Sequence, residues 1–454
     1  MKLIVTQGGR AVARSGLLPV SADELIGYVS RNAEPLVDLL RKCADGTAVN
    51  CDDFAFVMSH AAYSCSEYGG RDLGAKRYLP YQLLESPLRG PYAHLRGYMF
   101  VPSEDDAINA ATLATRWVAG ENIRNIENSF GIRSGALTSM FSEAANILRG
   151  LSDVLFAVTS PQDPDYLPTS VDLNATSWIS EVIGSIRRLA FRLDVGLPED
   201  VLWMSTLMSD GSPLLSRAQI MTLRSNDFLS PDNILDTGKF PALMAALGRP
   251  STQTTALAQQ VQASVRSWRV DERTRLAASQ IKRLPADCKH VVQKFYRSRE
   301  KEFEDSLEEI FSCIGITIDS KDDGSKSSYP DFVTTALPHR VVSIECKSKT
   351  VGDSVTFSDA TDVIRKASVN GLEDSFKVTV CQPYISPDVV RKLVNCRELC
   401  VVNAEDLAEA FVRLKLGKIT IESFSDWLQR PGQALRDMIP TSSFSVADQN
   451  ASVE

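Results

Sequence analysis

The chain has 454 residues, of which 44% are hydrophobic and 23% charged, and a formal net charge of −8. That length exceeds what one ordinary core fills, so two or three domains are expected. The acidic balance excludes a protein whose whole surface binds nucleic acid, while leaving room for a local basic stripe.

No apolar run of about eighteen or more residues occurs. The opening MKLIVTQGGRAVARSG has neither the apolar centre nor the small-residue cleavage site of a signal peptide. A cytoplasmic protein with no membrane partner is the expectation. The nine cysteines are odd in number and scattered, with no CxxC pair and no Cys/His group at zinc spacing, and read as reduced thiols. Only four histidines are present, none spaced as a ligand pair, which argues against a histidine metal site or a catalytic triad.

In chain order, residues 1–250 read as almost entirely helical. Apolar residues recur at three and four spacing in AINAATLATRWVAG and in GALTSMFSEAANILRGLSDVLFAV. Gly120 stands where a helix C-terminal cap belongs. Loops rich in Pro, Asp and Ser, TSPQDPDYLPTS at 159–170 and MSDGSP at 208–213, separate helices. Arg187, Arg188 and Arg192 fall on one helix, close enough to form a basic flank able to contact nucleic acid. Trp178 and Trp203 read as core residues.

Residues 251–290 read as a polar helical linker. A basic stripe runs through it from Arg266 to Lys301 and includes Lys282 and Arg283, further candidates for nucleic-acid contact; the plain alternative is a solvated helix face. Over 291–436 the pattern changes. Helical REKEFEDSLEEIFSCIG is followed by strand-like ITID, DFVTTAL, VVSIECKS, FKVTVCQP and LCVVNA, interleaved with helical FSDATDVIRKASV, SPDVVRKLVN and EDLAEAFVRLKLG. That alternation predicts an α/β domain. Residues 437–454 are polar, without periodicity, and read as a disordered tail.

One constellation carries chemistry. If VVSIECK is a strand, Ser343, Glu345 and Lys347 share one face, and Val342, Ile344 and Cys346 point to the other. A hairpin turning at Pro338-His339-Arg340 in symmetric register would set Asp331 opposite Lys347 and diagonal to Glu345. Two carboxylates and a main-chain carbonyl, that of Cys346, make a hard-oxygen site suited to magnesium. A neighbouring lysine can orient a nucleophile or stabilise developing charge. The preceding helix offers Phe303, Leu307, Ile310, Phe311 and Ile314 as a buried stripe, with Glu304 and Glu308 beside it; either could complete the metal shell. A Pro-Asp followed by Glu-x-Lys recurs by chance, and the plain alternative is a salt-bridged hairpin. The order of helix, strand, Pro-Asp turn, strand ending in Glu-x-Lys and helix is what gives the pattern weight.

On these residues, 295–435 resembles the PD-(D/E)xK nuclease superfamily, specifically its Mrr-like restriction-endonuclease group, with Glu304, Asp331, Glu345 and Lys347 at the functional positions. The resemblance implies a central mixed sheet flanked by helices and a Mg²⁺-dependent DNA endonuclease, with Mn²⁺ able to substitute. Asp359, Asp362 and Lys366 stand on the helix after the Glu-x-Lys strand, where some relatives carry a functional Gln or Lys; no role is assigned there. In the N-terminal half, TQGGRAVARSGLLP looks like the end of a winged-helix domain. LATRWVAGENIRNIENSFGIRSGALTSMFSEAANILRGLSDVLFAV resembles the helical accessory region of Ski-type superfamily 2 helicases. SPLLSRAQIMTL looks like a degenerate helix-hairpin-helix that keeps Arg217 and Ala218 but has Leu214, Leu215 and Ser216 in place of a Gly-x-Gly turn.

No GxxxxGK[ST] loop occurs, so a motor ATPase is expected from a separate protein. The expected architecture is therefore an all-helical half (winged-helix remnant, helical bundle, degenerate helix-hairpin-helix) followed by a restriction-endonuclease-like α/β domain. The expected activity is phosphodiester hydrolysis of DNA, together with a helicase, in defence against foreign DNA. DNA, the helicase and a second copy of the chain are the partners this reading allows. The alternatives are a non-catalytic nucleic-acid-binding subunit of a helicase complex and an RNA-processing nuclease.

Overall fold

The structure is a computed structural model that describes residues 7–44, 52–68, 93–95, 104–159, 175–249, 251–322, 328–350, 353–393 and 396–439. Nearly all of the loop expected over 159–170, and the tail from 440 on, lie outside the described residues. The chain divides into two compact units, residues 1–229 and 230–454. That division comes before the boundary expected at 250, and the helix expected as a linker belongs to the second unit. Among the described residues no helix is long and apolar enough to cross a membrane.

The first unit contains helices α1 (Gln7–Ser15), α2 (Pro19–Arg31), α3 (Ala33–Ala44), α4 (Asp53–Ser64), α5 (Glu104–Val118), α6 (Ile123–Phe130), α7 (Ser134–Thr159) and α8 (Thr176–Val195). Its core follows the sequence periodicity. Leu137, Phe141, Ala144, Leu148, Leu151 and Leu155 make one buried stripe of α7, and Ile179, Val182, Ile186, Leu189 and Leu193 make the matching stripe of α8. The MSDGSP segment is not an open loop. It forms a small hairpin, β1 (Met208–Ser209) against β2 (Ser212–Pro213), with Asp210 and Gly211 both at positive φ as a tight type I′ turn requires. Helix α9 (Arg217–Ser225) follows, opened by a Ser216/Gln219 capping box.

One close approach joins these pieces. Helix α8 ends at Gly196, whose φ is 67°. A β-carbon there would come within 2.2 Å of the Trp117 ring. The Trp117 indole donates to the carbonyl of Leu193 at 2.8 Å, and the Arg217 guanidinium sits 4.1 Å above the same ring. Arg217 also donates to the carbonyls of Gly196 and Glu121 at 2.6 and 2.8 Å. The arginine that the sequence marks as a relic of a phosphate-binding hairpin is thus part of the unit's packing, as is Trp117.

In the second unit, α10 (Pro231–Leu235) and α11 (Phe240–Leu247) pack on the long α12 (Thr252–Arg283), and α13 (Lys289–Arg297) and α14 (Glu300–Cys313) follow. Strands β3 (Ser320–Lys321), β4 (Phe332–Thr334), β5 (Val342–Ser348), β6 (Phe376–Gln382), β7 (Leu399–Asn403) and β8 (Gly432–Ala434) form one six-stranded sheet in sequence order. The pairs β3/β4 and β4/β5 are antiparallel; β5/β6, β6/β7 and β7/β8 are parallel. Helices α15 (Phe357–Val369), α16 (Pro387–Leu393), α17 (Ala404–Lys415) and α18 (Ile421–Leu428) supply the crossovers.

The sheet has two differently used faces. Val342, Ile344, Val378, Val380 and Val402 pack with Phe295, Phe303, Leu307, Phe311 and Phe411 of α13, α14 and α17. On the opposite face Cys381, Leu399 and Val401 pack with Ala360 and Val363 of α15 and Val389 of α16. The segment ITID is not itself a strand: β3 begins one residue after it, at Ser320. Strand β8 is an addition that the sequence pattern did not mark.

Gly196→Ala is expected to lower the stability of the first unit by about 2–4 kcal/mol, from left-handed backbone cost plus overpacking against Trp117. Gly184→Ala, where nothing lies within 4 Å of the added β-carbon, serves as the control. Thermal unfolding of the two variants checks this; equal melting temperatures would contradict the packing.

Candidate metal centre

Strand β5 alternates as its sequence predicts: Val342 and Ile344 enter one core, while Glu345 and Lys347 reach residues of α15 on the other face. The hairpin register differs from expectation. Phe332 pairs with Ile344, Val333 with Ser343 and Thr334 with Val342, with residues 335–341 as the connection. Continued by one position, that register brings Asp331 level with Glu345 rather than opposite Lys347. The asymmetric connection, with His339 at φ 82°, displaces the pairing by two residues and so keeps every side chain on its expected face.

Asp331 and Glu345 are both buried, at 7% and 2% exposure. The backbone N–H of Cys346 donates to Asp331 Oδ2 at 2.6 Å. Glu345 Oε1 accepts from Lys347 Nζ at 2.7 Å and from Lys366 Nζ at 2.6 Å. Lys347 also reaches Asp362 Oδ2 at 3.2 Å, and Lys366 stands 3.7 Å from Asp331 Oδ1. Glu345 Oε2 is buried and has no hydrogen-bond partner. Leaving a carboxylate oxygen in that state is costly, and such exceptions concentrate where an ion or ligand belongs.

The electrostatics follow from burial and crowding. Burial and the neighbouring Glu345 charge push the Asp331 carboxyl up to about 7, against the opposing Cys346 N–H and Lys366. For Lys347 burial pulls the ammonium down, but Glu345 and Asp362 outweigh it and hold the group at about 12. Burial, with Glu345 nearby and Lys301 opposing, also raises Glu304 above its ordinary range. Burial drives the Cys346 thiol well up, so its sulfur stays a neutral thiol.

Among the described residues no group of three or more His, Cys, Asp or Glu side chains converges as a metal-holding cluster. The donors brought together are two carboxylates, Asp331 and Glu345, with the Cys346 carbonyl on the same strand. Magnesium is commonly held by one or two carboxylates and keeps several waters, so this set fits that ion, and the orphaned Glu345 Oε2 is the observation favouring the fit. Between the two glutamates left open for the shell, Glu308 is engaged by Lys321 at 2.6 Å. Glu304 is the one whose carboxyl feels the Glu345 charge.

Lys366 is the member that the motif missed. It lies on α15 with Asp359 and Asp362 at positions related by three and four residues, so the helical period carried the signal. What period alone did not supply was that α15 lies across the Glu345 face of the sheet.

The expected nucleic-acid contacts are arranged differently. Arg187 pairs with Asp153 at 2.7 Å and Arg188 with Glu199 at 3.4 Å. Arg192 corrects the basic-flank expectation: it is buried, donates to Asp52 at 2.6 Å and to the carbonyls of Leu197 and Val118 at 3.2 Å, and so packs inward. Arg283 is held by Glu409, while Lys282 makes no ion pair among the described residues and borders a cavity. No protein-family model and no curated protein matches the chain.

Two outcomes follow from these burials. Asp331 takes up a proton on folding between its unfolded value of about 3.9 and its folded value of about 7. Raising the pH through that window therefore costs stability, because the folded state resists ionisation. Asp331→Asn should melt above the unsubstituted protein at pH 8 and converge with it near pH 4; equal melting at pH 8 would contradict the raised carboxyl. Arg192→Ala should destabilise the first unit by about 3–5 kcal/mol by removing one partner of a buried ion pair, whereas an unchanged unfolding curve would mean the buried pair carries no weight.

Proposed function

We propose that the second unit is a metal-dependent nuclease that hydrolyses phosphodiester bonds in DNA. The single observation that carries the reading is the buried pair Asp331 and Glu345, with one Glu345 oxygen unsatisfied and two lysines converging on the other. The six-stranded mixed sheet with helices on both faces is compatible with the PD-(D/E)xK resemblance of residues 295–435.

In this reading Asp331, Glu345 and the Cys346 carbonyl would hold Mg²⁺, with Glu304 the candidate for a further ligand. The ion, when bound, supplies charge neutralisation at the phosphate and a bound water of lowered pKa. Asp331 must give up its proton to serve as a ligand, and its raised carboxyl makes that costly below about pH 7. Lys347, held at about 12, keeps its proton at neutral pH and acts as a hydrogen-bond donor to developing negative charge, not as a base. Lys366 fixes Glu345 Oε1, leaving Oε2 as the available oxygen.

The helical first unit belongs to the same proposal as the part that recognises nucleic acid or a helicase partner, and the defence role rests on the resemblance alone. A second reading, a nucleic-acid-binding subunit without catalysis, draws on the pairing of Glu345 with two ammonium groups and the lack of a third converging carboxylate among the described residues.

Incubation with plasmid, linear duplex, single-stranded DNA and RNA, with Mg²⁺, Mn²⁺ or EDTA, separates the readings. Metal-dependent DNA cleavage that falls about a hundredfold or more in both Asp331→Ala and Lys347→Ala is expected. Equal cleavage by these variants sinks the assignment of the site. No cleavage of any substrate, even with a helicase added, favours the binding subunit.

A further inference from the structure

The basic stripe from Arg266 to Lys301 is neutralised in part. Arg269 pairs with Asp232, Arg275 with Glu272 at 3.0 Å, Arg283 with Glu409 and Lys294 with Glu309 at 2.9 Å. Lys282, Lys289 and Arg297 make no ion pair among the described residues, and all three border one cavity of about 530 Å³ formed by α12, α13 and the segment just after β6. Such a volume lies within the roughly 300–1,000 Å³ of small-molecule sites. A fourth cation, Arg273, lines it too, and no carboxylate does. In a chain of net charge −8 this is a concentrated positive patch, in which Arg273 is paired with Glu405 and the other three cations have no ion-pair partner among the described residues.

The walls are specific as well. Tyr296 and Tyr384 line the cavity together with apolar Val270, Ile281 and Pro383. Both rings are fixed in advance: Tyr296 donates to Gln280 at 2.6 Å, and the Arg269 guanidinium lies 4.7 Å above Tyr384. Two positioned aromatic faces beside three uncompensated cations suit a ligand that is planar at one end and anionic at the other.

The topology points to the same place. After β6 the chain turns into α16, which packs with Cys381 and Val401; after β7 it turns into α17, which packs with Val380 and Val402 on the other side of the sheet. The strand order does not reverse here, but the two connections leave the carboxyl ends of these neighbouring parallel strands toward opposite faces of the sheet, and the space between them lies outside the strand ends, where open α/β sheets bind ligands. Pro383 and Tyr384 directly follow β6. Arg273 bridges from Gln382, at 2.9 Å, to Glu405, at 2.6 Å, across that space.

We propose that this cavity binds a nucleotide, with the phosphate held by Lys282, Lys289 and Arg297 and the base against Tyr296 and Tyr384. The site is distinct from the carboxylate pair, which faces α15 on the opposite side of the sheet, so it stands whether or not the nuclease reading does. The nucleotide has two sources, a free mononucleotide or the phosphorylated end of a strand.

Binding is measured calorimetrically on the full chain in EDTA, which removes any contribution from a metal centre. The probes are deoxyadenosine monophosphate, deoxyadenosine, inorganic phosphate, and a short oligodeoxynucleotide with and without a 5′ phosphate. The monophosphate should bind about tenfold or more tightly than the nucleoside or phosphate alone. Lys289→Glu and Arg297→Glu should each weaken it by about tenfold with unchanged melting temperature. A strand that binds more tightly than the mononucleotide, and only with its terminal phosphate, identifies the strand end as the source; equal binding of the two identifies the free nucleotide. Absence of binding by both, equal binding of monophosphate and inorganic phosphate, or charge reversals without effect would overturn the proposal.

Discussion

Two carboxylates buried side by side next to a sheet set the constraint on which the second unit depends. Asp331 and Glu345 sit at the junction of an antiparallel hairpin and a parallel sheet, and taking either charge out of water costs several kcal/mol unless it is compensated. Lys347 and Lys366 offset Glu345, and the Cys346 N–H offsets Asp331. The compensation is incomplete. One oxygen of Glu345 is left without a partner, and Asp331 keeps its proton to an unusually high pH. A purely structural ion-pair network would gain stability by satisfying both groups, so the incomplete compensation is a stability cost, and it is the observation on which the proposed cation site rests.

That cost is carried by the strand that contributes the site. Strand β5 places Val342 and Ile344 in the larger core and Glu345 and Lys347 on the α15 face, and its parallel pairing with β6 runs along its whole length from Val342 to Ser348. The backbone position of Glu345 is held by a seven-residue parallel ladder with buried Phe376, Val378 and Val380 alongside. The first unit uses the same economy with different parts. A glycine lets an indole approach the end of α8, and an arginine lies over that indole and donates to nearby carbonyls, so polar side chains there complete packing.

The sequence carried the local part of this account. Period-two alternation in VVSIECK assigned Glu345 and Lys347 to one face, and FSDATDVIRKASV coincides with α15 from Phe357 to Val369. Long-range geometry was less legible. The register of the hairpin depends on how residues 335–341 turn, and a symmetric turn would set Asp331 two positions away on its partner strand while keeping its face. Arg192 looked like a surface cation because helical spacing reports neighbours along one helix and says nothing of Asp52, far away in the chain. Strand β8 escaped because Gly-Gln-Ala has no hydrophobic alternation to announce it. The cavity beside Tyr296 and Tyr384 depends on where α12 and α13 lie against the loop after β6, which no local pattern encodes.

The proposed cation site joins the unsatisfied Glu345 oxygen with Asp331. Its most direct test is a crystal of the protein grown with Mn²⁺ and measured for anomalous scattering. The account predicts a peak within coordination distance, about 2.0–2.3 Å, of Glu345 Oε2 and an Asp331 oxygen. Density showing both carboxylates engaged only by Lys347, Lys366 and the Cys346 N–H, with no peak at saturating Mn²⁺ and neutral or higher pH, would contradict it.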